Sequence, residues 1–120
     1  MAKHITSTTR MKTTGSHPKI IEEYIGAVNT KTNRLSIAHM RSPQGWSEPG
    51  QTPEFDEYTI VLKGTLHVKT QYKNFEVVEG EAFIAEKDEW VQYSTPDEDT
   101  EYIAVCIPAF TNDIVNRDAK

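Results

Sequence analysis

Six short runs rich in β-branched and aromatic residues follow one another through the second half of the chain. They are EYTIVLKG, TLHVKTQ, FEVVEG, EAFIAE, EWVQYST and EYIAVCIPAF. Turn residues separate them at Gly64, YKN, Gly80, EKDE and PDEDT. Strands recurring at intervals of roughly 8–12 residues, with no long helical period, predict an all-β sandwich or barrel.

The first half agrees. KIIEEYIG reads as a short strand ending at Gly26, and NTKTN as a turn. RLSIAHM alternates, with Leu35, Ile37 and His39 on one face and Ser36, Ala38 and Met40 on the other. RSPQGWSEPGQTPEF holds Pro43, Pro49 and Pro53 with Gly45 and Gly50, so it cannot be a helix and forms a strand only in pieces. TNDIVNRD near the end reads as one helical turn with Thr111 or Asn112 as its cap. A length of 120 residues suits one domain. Residues 1–16 are polar and read as a flexible N-terminal arm, disordered or ordering on a partner, ahead of a barrel domain over 17–120.

A formal net charge of −5 argues against nucleic acid or an anionic membrane surface as a partner, since both call for a basic patch. No apolar run nears the roughly 18 residues that span a bilayer. The first residues lack the apolar core of a secretory signal. Cys106 is the single cysteine, so no intrachain disulfide forms. A cytoplasmic location is the expectation.

Two glycine-bounded frames carry more detail. In the first, Gly45 is followed by five residues, then Gln51-Thr52-Pro53, three residues, Glu57, six residues and Gly64. In the second, Gly80 is followed by five residues, Glu86-Lys87-Asp88, two residues, Val91, three residues and Thr95. With the AVCIPAF ending, these spacings resemble the two motifs of the cupin superfamily over roughly Ile20 to Phe110. The resemblance implies a jelly-roll, or double-stranded β-helix, barrel. It also implies a homodimer, and the arm is then available to cover an exposed sheet edge of the partner.

The cupin motifs usually supply three imidazoles and one carboxylate to a divalent metal. Here Gln51, Pro53 and Val91 stand in the histidine positions and only Glu57 remains. Two oxygen donors make a poor transition-metal set, so no tightly held metal or other cofactor is expected. A weakly bound divalent ion would draw on Glu57, Gln51 and His39.

The site residues follow from the same frames. Glu57, in a barrel mouth with few cations, should have a raised pKa that suits a general acid or base. Gln51 would orient a polar group of a ligand. His39 enters if its face lines the barrel. Trp46, Tyr58 and Tyr93 cluster around the motifs as aromatic walls, with Tyr93 sharing the parity of Val91. Trp90 has the other parity and reads as a packing residue, His67 as outward-facing, and Cys106 as a buried inert thiol. The expected function is binding of a small polar organic molecule in the mouth, with metal-independent acid–base chemistry of isomerase or lyase type. A metal-dependent oxygenase or isomerase and a non-catalytic sensor or structural dimer are the alternatives, so whether the protein is an enzyme stays open.

Overall fold

The computed structural model describes residues 1–13 and 15–119. It contains ten strands: β1 Thr9–Met11, β2 Ile20–Ile25, β3 Ser36–Ser42, β4 Trp46–Ser47, β5 Asp56–Lys63, β6 Thr65–Thr70, β7 Asn74–Val78, β8 Ala82–Ala85, β9 Val91–Thr95 and β10 Thr100–Ile107. Antiparallel pairing gives a six-stranded sheet ordered β1-β2-β3-β10-β5-β8 and a four-stranded sheet ordered β4-β9-β6-β7. From β3 onward the chain changes sheet at every step except β6 to β7, which closes the two into an all-β jelly-roll barrel.

The crossing at Gly64 depends on its missing side chain. Its φ is +83°, and a Cβ there would lie 2.6 Å from the Asp99 carbonyl oxygen. The turn therefore needs glycine for both conformation and space.

Two departures from the sequence reading bear on the site. The segment read as a disordered or partner-bound arm contributes β1, which pairs with β2 of its own chain through Thr9–Glu23, Arg10–Glu22 and Met11–Ile21. TNDIVNRD forms a turn and then an extended segment, not a helical turn. That segment hydrogen-bonds back onto the loop before β5. Glu54 N donates to the Ile114 carbonyl, Thr52 N to that of Asn116, and Asp118 N to that of Gly50.

The main core lies between the sheets, built on Trp46, Val61, Leu66, Val68, Val77, Ala85, Val91, Tyr93 and Tyr102, with Met40, Phe75 and Phe83 packed against it. A smaller cluster of Phe55, Cys106 and Val115, flanked by Phe110 and Ile114, anchors the C-terminal segment. Each fully buried large apolar side chain contributes roughly 1.5–3 kcal/mol.

The six-stranded sheet carries an unusual distribution. Its inward positions include Glu23, Ser36, Ala38, Glu57, Thr59, Ala104 and Cys106, all buried. Its outward positions include Ile37, Tyr58, Ile60, Leu62, Ile84, Ile103 and Val105. Register makes the outward set continuous: Ile37 pairs with Val105, Val105 with Tyr58, Tyr58 with Ile84, and Ile103 with Ile60.

Candidate functional site

The inward polar residues surround a cavity of about 70 Å³, room for several waters or a small organic molecule. Glu57 and Thr59 reach it from β5, Ser36, Ala38 and Met40 from β3, Tyr102, Ala104 and Cys106 from β10, and Tyr93 from β9. Gln51 and Glu48 come from the Pro- and Gly-rich loop, Lys19 from the residue before β2, and Phe110 and Arg117 from the C-terminal segment. Met11 through Thr13 form part of the rim.

Glu57 is the chemical centre. It is buried, and one carboxylate oxygen accepts a hydrogen bond from the Tyr93 hydroxyl at 3.5 Å. Loss of hydration pushes its pKa up to about 7, Glu48 adds to the rise, and Lys19 and the Tyr93 hydrogen bond oppose it. Burial also raises the Tyr93 phenol well above its ordinary value, so this hydroxyl stays a donor at neutral pH. Glu48 is raised as well, by burial, against the pull of Lys19 and Arg117.

Lys19 is held in place by aromatic contacts. Its Nζ lies 4.0 Å from the centroid of the Trp46 ring and donates to the Tyr102 hydroxyl at 2.8 Å. Tyr102 and Ser42 are linked through their hydroxyls at 3.0 Å. Burial alone would lower the Lys19 pKa, but Tyr102, Glu48 and Glu57 outweigh that and raise it. Lys19 is therefore a fixed cation, with the indole face as part of its seat.

Of the residues expected from the sequence, Glu57, Gln51 and Tyr93 meet in the cavity. Gln51 is held by backbone bonds with Val91 in both directions, and its side-chain amide has no protein partner among the described residues. Three expectations are corrected in placement. His39 lies on the outer face of β3, where Nε2 sits 3.0 Å from Glu101 Oε1 beside an Arg41–Glu22 ion pair. Tyr58 points outward from β5 and is 40% exposed. Trp46 is fully buried in the core beneath Lys19, and it acts on the site through that cation and not as a cavity wall. Sequence reading missed Lys19, Glu48, Arg117 and Tyr102. Lys19 and Arg117 lie outside both motifs, and no local pattern marks them.

Trp90 packs over Gly50 and donates to Asp118 at 2.8 Å, consistent with its reading as a packing residue. The Cys106 thiol faces the cavity, and burial pushes its pKa well up, so it is a poor nucleophile.

The cavity residues do not fit a transition metal. Glu57, Glu48 and Gln51 offer oxygens, Glu23 is bound to backbone N–H groups, and burial keeps the Cys106 thiol protonated. His39 lies on the far face of the sheet, so no set of three His, Cys, Asp or Glu ligands gathers in the cavity among the described residues. A separate donor group sits on the outer face of the four-stranded sheet. The ligand atoms of His67, Glu76 and Asp97 lie within 4.8 Å of one another, and His67 Nε2 is 2.7 Å from Asp97 Oδ2.

No family model matches the chain. One curated relative, the endoribonuclease YbeY of Myxococcus xanthus, is 38% identical over 101 residues, or 83% of this chain. The chain spans only 34% of that protein. Among solved structures, the polyketide cyclase RemF from Streptomyces resistomycificus superposes over all of this chain and 87% of its own, at 18% identity and a TM-score of 0.76. A cupin-like protein from Thermotoga maritima covers 89% of this chain and 82% of its own, at 10% identity and 0.73. Oxalate decarboxylase from Bacillus subtilis matches 94% of this chain with 31% of its own, at 14% identity and 0.76. The fold of this chain is the cupin fold.

Proposed function

We propose that this cupin-fold chain binds a small polar organic molecule in the cavity around Glu57 and moves a proton on it without a metal, in an isomerase- or lyase-type reaction. One observation carries the reading: a buried carboxyl group with a pKa of about 7 borders a cavity in the barrel mouth. A group poised there both accepts and returns a proton near neutral pH, which is the requirement for general acid–base catalysis. Gln51 and Tyr93 supply polar contacts, and Phe55, Phe110 and Met40 supply apolar wall.

The endoribonuclease name belongs to a chain of which this one spans about a third, and a net charge of −5 offers an RNA backbone little attraction. A homodimer built on the outer face of the six-stranded sheet accounts for the apolar residues there.

Metal analysis and thermal shifts test the reading together. Protein purified without a histidine tag should carry no stoichiometric metal, and at least one member of a small-metabolite panel should raise the melting temperature. About one equivalent of metal that disappears in Glu57→Ala would overturn metal-independent chemistry. A broad panel without any stabilising compound would favour a purely structural role.

A further inference from the structure

Two cations from nearly opposite ends of the sequence converge on the cavity. Lys19 is fixed by Trp46 and Tyr102, and Arg117 arrives on the C-terminal segment. The Arg117 Nε is buried and has no hydrogen-bond partner among the described residues, while Nη1 makes a 3.3 Å bond to Asn112. A buried guanidinium donor left unpaired is costly, so it marks a place where an acceptor belongs. The Gln51 amide also lines the cavity without a side-chain partner among the described residues.

The anionic residues leave room for a further negative charge. Glu23 is already committed to the backbone N–H groups of Val28 and Asn29. Glu48 acts on both Lys19 and Arg117, and Glu57 carries its proton about half the time near neutral pH. Lys12 stands at the rim with a further positive charge.

We infer that the molecule taken by this cavity is a small organic carboxylate, its anionic end between Lys19 and Arg117 and its apolar body against Phe55 and Phe110. This rests on the proposed small-molecule site and names its substrate class. The guanidinium gives a carboxylate charge-assisted hydrogen bonds, and Lys19 adds a point charge. The titratable groups acting on Glu57 are Glu48 from the loop, Lys19 before β2, Tyr93 on β9 and Cys106 on β10. Glu57 titrates near neutral pH, and burial raises Glu48 as well. An arriving carboxylate beside Glu57 therefore favours its protonated form, and binding takes up protons.

The test is calorimetry on the full chain with pyruvate, lactate and benzoate against lactamide and benzamide, in two buffers of different ionisation enthalpy. The acids should bind about tenfold or more tightly than the amides, the scale of a charge-assisted pair. Their binding should take up a fraction of a proton per molecule near pH 7. Arg117→Gln should weaken the acids about tenfold and the amides markedly less. Should that variant fail to fold, Glu48→Gln serves instead, since removing the competing carboxylate should tighten the acids. Amides binding as well as acids would overturn the carboxylate inference and leave the small-molecule site standing. Acid affinity indifferent to both substitutions would overturn it too. No binding by either set to folded protein would overturn the inference and the site together.

Discussion

The two sheets of this barrel distribute polarity in opposite ways. The four-stranded sheet turns Leu66, Val68, Val77, Val91 and Tyr93 inward and His67, Lys69, Glu76 and Gln92 outward. The six-stranded sheet places Glu23, Ser36, Glu57 and Thr59 inside and leaves Ile60, Leu62 and Ile84 at least 47% exposed outside. Half-buried antiparallel sheets ordinarily put the apolar face on the core. The first sheet therefore supplies most of the main core, to which the second adds Val61, Ala85 and Tyr102. The second sheet gives up part of its inner face to a site and keeps its apolar residues on the outside, as an interface would require.

Breaking the cohesive side should give the largest effect. Trp46→Ala removes a fully buried ring from the core and the seat of Lys19, and should cost about 3–5 kcal/mol in urea unfolding. A loss below about 1 kcal/mol would mean that this side is not what holds the barrel.

The site side should show the opposite sign. Glu57 has a folded pKa of about 7 against 4.5 for the free group. Between those values the folded state holds more protons than the unfolded state, so stability falls as pH rises through the window. Glu57→Gln should therefore be more stable than the parent by on the order of 3 kcal/mol at about pH 8, with the advantage fading toward about pH 4.5. The same variant should abolish proton transfer. A gain independent of pH would show that the carboxylate charge is not its cause.

The outer face predicts assembly. Ile60→Glu combined with Ile84→Glu should change monomer stability by less than about 1 kcal/mol but shift sedimentation from dimer to monomer. A sedimentation profile unchanged by the pair would detach the apolar face from any dimer.

The smallest effect should come from His39→Ala. Its partly exposed pair with Glu101 should contribute about 0–1 kcal/mol, and ligand affinity should stay as in the parent. A ligand-binding defect would contradict its place on the outer face.

The inversion of the second sheet explains what could be read in advance. Alternation in β3 correctly separated Ile37 and His39 from Ser36, Ala38 and Met40. His39 entered the site only if its face lined the barrel, and that face lies outside because this sheet does not follow the usual rule. Tyr58 was misplaced for a different reason: it is adjacent to Glu57 in the motif, and adjacent strand residues face opposite ways.

The sequence by itself determined the strand rhythm, the turns at Gly64 and Gly80, and the loss of imidazoles from the motif positions. Strand propensity, positive φ and ligand chemistry are properties of local residues, and the resemblance of the two frames to cupin motifs pointed to Glu57, Gln51 and Tyr93. Only the tertiary structure brought Lys19 and Arg117 to the same cavity. Lys19 depends on packing against Trp46 and Tyr102, and Arg117 on the C-terminal segment bonding to the loop before β5. The charge balance around Glu57 is set by contacts between residues far apart in the chain, and no local spacing encodes it.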